Sequence, residues 1–405
     1  MTNKALLLIL FTWFFGNLDI HFITPALPKL ASSFSVQPNI AQLTISLFLL
    51  GKALSMIVWG ILSERYGRKP IFIWGLLLYL TSNFLAALSP SIEALLLCRF
   101  FQGIAVGATL LMGRAMINDT HDEQHATQYF AWFFTLGGLF ICFLPFLGGL
   151  INSHWSWQTA SIIIALYALL LFPLSIGIQE TKPNHRTSLS VASFRRSLLS
   201  FKEIITTVFR HPIFVGYLLI SALMMAGESA FNTSASFILI KGAQWTSTQY
   251  GLAKTVMAIM HLLGTACCGI LVKYYSSRQL TAFGVYFFAF SAVLMWLFSL
   301  LSDTIYLIFI IPMVVYYFGT GFIVASATSA VVRPFPKQMA LALALTLFCQ
   351  FNCSALFSFI TSVIGIKDVS SFMCLLCLIG FFSLITLNRL KLNEEKLSKN
   401  SVVAQ

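Results

Sequence analysis

Apolar residues in this chain come in blocks of about 20, the length at which an α-helix crosses a hydrocarbon core ~30 Å thick. Twelve blocks can be placed, near 5–27, 41–62, 71–89, 93–115, 127–151, 158–178, 213–239, 249–272, 279–300, 304–326, 339–364 and 369–388. Short polar breaks divide them: SPSIE separates the third from the fourth, and NSHWSW joins the fifth to the sixth. The pattern predicts an all-α integral membrane protein with 12 transmembrane helices. The opening run MTNKALLLILFTWFFG has the look of a secretory signal, but no small-residue cleavage site follows it, so it reads as the first spanning helix.

Composition agrees: 58% of residues are hydrophobic and only 9% charged, with mean hydropathy +0.86, which excludes an ordinary soluble chain. The net charge of +12 has a topological cause. Nineteen of the 25 Lys and Arg residues fall at the termini or in loops on one face, and three (Lys29, Lys241, Lys367) on the other. Lys52, Arg99 and Lys254 lie inside blocks. This bias predicts both termini in the cytoplasm of a multi-pass plasma membrane protein, the inner membrane in a bacterium, and leaves nucleic acid no part to play. All eight cysteines sit in apolar blocks without metal-ligand spacing, so they read as buried small hydrophobes. No cofactor or metal is expected.

The connection at about 179–212 splits the chain into six blocks plus six. Four parts are expected: a bundle over 1–180, a linker over 181–212, a second bundle over 213–389 and a cytoplasmic tail over 390–405. In the linker Val191, Phe194, Leu198, Phe201, Ile205 and Val208 recur every three or four residues, predicting an amphipathic helix on the cytoplasmic leaflet. The halves resemble each other. GILSERYGRK (60–69) matches GILVKYYSSR (269–278) at an offset of 209, and the same offset brings Asp19 onto Glu228 and Lys52 onto His261. This is a parallel internal repeat.

GILSERYGRKPIF, between the second and third blocks, resembles the loop signature of the major facilitator superfamily, with Glu64 in place of the usual Asp. Gly60 is expected to permit close helix packing and Gly67 to take a turn conformation closed to bulky residues. The resemblance implies two six-helix bundles about a pseudo-two-fold axis, and a conformational latch from Gly60, Glu64, Arg65, Gly67 and Arg68. LLLCRFFQGIAVGA (95–108) resembles the family's fourth-helix signature and maps its buried arginine onto Arg99, followed by Gln102 and Gly103. That arginine either serves proton coupling or anion contact, or holds helices together by hydrogen bonds. RAMIND (114–119) and TPALP (24–28) are similar to the Bcr/CflA branch of drug exporters. In the fifth helix, LPFLGG supplies Pro145, Gly148 and Gly149 of the antiporter signature. Leu144, Phe140 and Ala131 stand at three of its glycine positions, with Gly137 and Gly138 nearby.

Ionisable residues inside spanning helices are functional candidates by default, because each is expensive to bury. If the resemblance holds, the first, second, seventh and eighth helices line a central cavity. Two pairs are then expected, Asp19 with Lys52 and Glu228 with Lys254 or His261. Asp19, Arg99 and Glu228 are candidates for proton coupling, the alternative being static pairs that fix helix register. His21, Lys52, Arg114, Lys254 and His261 are candidates for substrate contact, although His21 could simply reach to water at a helix end. Of Asp19 and His21, Asp19 is favoured as proton carrier. The expected function is that of a secondary transporter, not an enzyme. It would move a small organic molecule by alternating access as a monomer, with substrate, protons and the lipid bilayer as its partners. Multidrug efflux by proton antiport leads. The basic excess at mid-depth makes an anionic metabolite or carboxylate siderophore the alternative, in either direction. A membrane-embedded enzyme or a sensor is the remote one, since no catalytic constellation or soluble domain is visible.

Overall fold

The computed structural model describes residues 3–182, 206–335 and 339–403. Twelve helices among them are long and apolar enough to cross a membrane. They are α1 Lys4–Ser33, α2 Pro38–Tyr66, α3 Arg68–Ala87, α4 Ile92–Thr120, α5 Glu123–His154 and α6 Trp157–Ile176 in the first half. The second half holds α7 Pro212–Gly242, α8 Ser247–Leu271, α9 Ser277–Leu301, α10 Tyr306–Val332, α11 Met339–Ile364 and α12 Val369–Val403. The repeat is visible in the helix starts: α2 and α8 begin 209 residues apart, as do α3 and α9. The amphipathic stretch expected in the linker lies largely outside the described residues.

Local chemistry starts these helices where the polar breaks fall. Thr246 and Gln249 form a capping box on α8, and Ser276 and Gln279 repeat it on α9. Pro38 and Pro212 open α2 and α7, where a missing N–H costs nothing. Between α2 and α3 the chain turns on Gly67 at φ +99°, a conformation that L side chains rarely adopt. α1 is less regular, passing through a 3-10 turn at Thr24–Ala26 around Pro25.

Each half closes on its own apolar core, one drawn mainly from α1–α6 and the other from α7–α12. Large apolar side chains also point outward, Leu170 at 74% and Leu301 at 70% exposed, a surface suited to lipid and not to water. Cys374 and Cys377 share that outer face, so the expectation of buried cysteines fails for them: a small apolar thiol is as well placed against lipid as in a core.

The halves meet along α2 with α11 and α5 with α8. Among the described residues, the hydrogen bonds that join them gather toward the end of the bundle remote from the termini. Ser46 bonds Ser358 at 2.9 Å and Ser362 at 3.0 Å, Gln42 donates to the Ile366 carbonyl, and Ser153 meets Thr248. Ser247 donates to the Pro25 carbonyl at 3.4 Å. Glycines bring the backbones together there. A Cβ on Gly149 would stand 2.3 Å from the Ser247 carbonyl oxygen, and one on Gly251 2.4 Å from that of Pro145. The bundle is therefore sealed at one end.

Candidate functional site

Asp19 does not pair with Lys52, as the sequence suggested. It is fully buried against Arg99, with Nη1 2.7 Å from Oδ1, while the Tyr79 hydroxyl donates to Oδ2 at 2.5 Å. Arg99 also donates to Gln102 Oε1 at 2.5 Å and to the Thr44 carbonyl at 3.2 Å, and its guanidinium lies over the Phe48 ring. Gln102 continues the chain to Asn83 at 3.1 Å. This network ties α1 to α2, α3 and α4 entirely within the first half. Arginine suits the place, since its planar fork meets several acceptors at once. Tyr79 and Asn83 were missed in the sequence; a tyrosine and an asparagine four apart in an apolar helix were the available signal.

Lys52 turns elsewhere. Its Nζ lies 4.1 Å from the centroid of the Phe351 ring on α11 and against Gly16 of α1. Glu228, the repeat mate of Asp19, is half-buried and makes no contact ion pair among the described residues. It feels Lys254 and Lys52 through space only. The expected contact pair with Lys254 or His261 is thus not formed. Lys254 donates instead to Asn232 Oδ1 at 2.5 Å, and His261 Nδ1 meets Thr320 Oγ1 on α10 at 2.6 Å. Arg114 lies inside α4, with its guanidinium 4.7 Å from the centroid of Trp13. His21 does not reach to water: it is buried, and among the described residues its Nδ1 has no hydrogen-bond partner. Gly148 explains its surroundings, since a Cβ there would stand 2.3 Å from the His21 carbonyl oxygen.

At the end carrying the termini, the loop between α2 and α3 builds a second cluster. Arg68 pairs with Glu64 at 2.6 Å and with Asp119 of α4 at 3.1 Å. Glu180 accepts from the backbone N–H groups of Arg68 at 2.8 Å and Lys69 at 3.1 Å, capping the start of α3. Partial burial alone would push the Glu180 carboxyl up, but donation from the Lys182, Arg68, Lys69 and Thr181 N–H groups outweighs it and holds the carboxyl below the usual glutamate range. Lys182 Nζ reaches the Glu64 carbonyl. Arg65 stays outside this cluster, exposed beside Tyr66. The close packing expected at Gly60 is absent: a Cβ there would meet only Leu111, at an ordinary 3.9 Å.

Residues 6–358 match the family model described as Major Facilitator Superfamily. The chain belongs to that superfamily. Among its relatives, the chloramphenicol resistance protein CraA of Acinetobacter baumannii is 30% identical over 273 residues, 67% of this chain and 63% of CraA. The match therefore spans less than two thirds of that protein's length. Multidrug resistance protein MdtL of a Shewanella species is 24% identical across 95% of this chain and 93% of its own. Multidrug resistance protein D of Escherichia coli is 23% identical over 82% of each. Among solved structures, a D-xylose–proton symporter superposes with a TM-score of 0.75 at 14% identity, covering 94% of this chain and 96% of its own, a likeness of fold alone. This major facilitator is a multi-pass membrane transporter, not an enzyme.

Proposed function

We propose that this major facilitator is a proton-coupled exporter of small organic molecules that works by alternating access. The observation that carries the reading is the one-ended seal, set over a layer of buried and half-buried ionisable groups. The bias of Lys and Arg toward the loops at the end carrying the termini supports a cytoplasmic placement of that end. On that orientation the seal formed by α2 with α11 and α5 with α8 faces outward, and the conformation is inward-facing. The two six-helix bundles rock as units about the central layer. In this state the cluster of Arg68, Glu64, Asp119 and Glu180 stays within the first half and its linker. When the seal parts, the same end of the bundle closes, and that cluster is placed to engage the second half as a latch.

We assign proton exchange to Glu228. It is the half-buried acid of the central layer, and among the described residues it makes no contact ion pair that would have to be displaced. Asp19 and Arg99 close on one another, and we assign them the task of fixing α1 against α3 and α4. Export of drugs is supported by the resistance proteins among the relatives. The test is efflux from proteoliposomes holding the purified protein under an imposed pH gradient, with a panel of cationic, neutral and anionic compounds. Gradient-driven movement of at least one is expected; a chain that moves none in either direction is not a coupled transporter.

A second reading has its own observation. With Asp19 neutralised by Arg99, the central layer is left with more cations than acids, which favours an anionic substrate over a lipophilic cation.

A further inference from the structure

Lys52, Lys254 and Arg114 are cations of the central layer, and Glu228 is the acid that acts on the two lysines. Two of these cations share a further trait. The side chains of Lys52 and Arg114 make no hydrogen bond or ion pair among the described residues; each lies over an aromatic ring, Lys52 over Phe351 and Arg114 over Trp13. They also stand close enough for their charges to repel each other. Holding two like charges together away from bulk water, with no carboxylate in contact, costs free energy. The fold accepts that cost and softens it only with ring faces, which attract a cation weakly and leave most of its N–H donors unused. Glu228 does not fill the gap, because it acts on Lys52 and Lys254 without touching either. An anion entering the layer would satisfy both free cations at once, in a site where charge-assisted hydrogen bonds are strong. The rings beside those cations add apolar, flat surface for whatever carries the charge.

We propose that the central site takes an aromatic organic anion, its carboxylate held between Lys52 and Arg114 and its ring system beside Phe351 and Trp13. This deepens the transporter reading above and rests on it for the passage of the anion, but not for its binding. Arginine offers a bidentate grip on the carboxylate and lysine a point charge, so the two anchors are not interchangeable. Glu228 then acts as the resident competitor: it shares Lys52 with the incoming anion and is left with Lys254 when the anion binds.

Three probes of matched shape test this: 2-naphthoate, 2-naphthylmethanol and 2-naphthylmethylammonium, measured by calorimetry on the full chain in nanodiscs of zwitterionic lipid. Naphthoate is expected to bind about tenfold or more tightly than the alcohol, and the ammonium probe most weakly. Lys52→Gln and Arg114→Gln should each weaken naphthoate about tenfold while leaving the alcohol unchanged, which also shows that the variants are folded. Lys52→Arg keeps the charge but not the point geometry and should recover only part of the loss, and Glu228→Gln should tighten naphthoate. Tighter binding of the ammonium probe, binding of none of the three, or wild-type naphthoate affinity in both glutamine variants overturns the proposal. Transport separates the two readings. If naphthoate binds as expected but no compound crosses proteoliposomes, the anion site stands and the transporter mechanism falls. If a pH gradient drives export of a cation through a protein that ignores naphthoate, transport stands and the anion site falls.

Discussion

Asp19 and Glu228 occupy the same register of the two repeats, and the protein treats them in opposite ways. Asp19 is fully buried, fixed by an arginine at 2.7 Å and a tyrosine at 2.5 Å. Glu228 is half-buried and touches neither of the lysines that influence it. An internal repeat thus sets the depth of an acid without setting its task; its neighbours do that. Arg99 and Tyr79 tie one acid to the neighbouring helices α4 and α3. On the other half, Lys254 is drawn off by Asn232 and His261 by Thr320, which leaves Glu228 available.

The largest effect should come from taking one partner out of the fastened pair. Arg99→Ala leaves the Asp19 carboxylate buried without its counter-charge, and should cost roughly 3–5 kcal/mol with loss of all transport. A fall in the detergent melting temperature of the purified variant checks this. Wild-type stability there would mean that the pair does not hold the helices.

Next in size is the seal. Gly251→Leu forces a side chain into the backbone contact with Pro145, where even a Cβ would stand 2.4 Å from the carbonyl oxygen. Overpacking of this kind costs about 1–3 kcal/mol, and here it falls on the sealed conformation. The variant should label more readily than wild type with a membrane-impermeant thiol reagent at a cysteine placed at Ser153, and should transport poorly. Unchanged labelling would remove α5 and α8 from the gate.

A smaller effect belongs to Glu180. Its depressed carboxyl adds stability that is fully present above the ordinary glutamate range and is lost as pH falls through its folded value. Glu180→Gln should therefore melt below wild type at about pH 7 and match it at about pH 3, within about 1 kcal/mol because the group is largely exposed. Melting curves at both values decide it, and a difference that survives at acid pH would assign the loss to packing.

Much of the fold was legible because bilayer thickness imposes its length on every spanning helix. The offset of 209 could be read from one loop motif and reappears in the starts of α2 with α8 and α3 with α9. Depth, too, follows from position along a helix, so Asp19, Lys52 and Glu228 were found as mid-membrane groups. Direction around the helix was not legible. Lys52 and Arg99 both lie on helices adjoining α1, and nothing in their spacing says which one faces Asp19; packing between α2 and α4 decides it. For the same reason nothing in the spacing hints that Asp119, the last residue of RAMIND, meets Arg68 across 51 positions of chain. Gly60 shows the converse, a signature residue whose expected contact is absent.

The central claim is that Glu228 exchanges the proton while Asp19 fastens the helices. It is tested most directly by comparing Glu228→Gln and Asp19→Asn in proteoliposomes, with substrate exchange at equal pH measured beside accumulation driven by a pH gradient. Glu228→Gln is expected to keep exchange near the wild-type rate and lose the response to the gradient, while Asp19→Asn loses both and melts earlier. An Asp19→Asn protein that keeps its stability and its exchange but ignores the gradient, beside a Glu228→Gln protein that still follows it, would contradict the account and return the proton to Asp19.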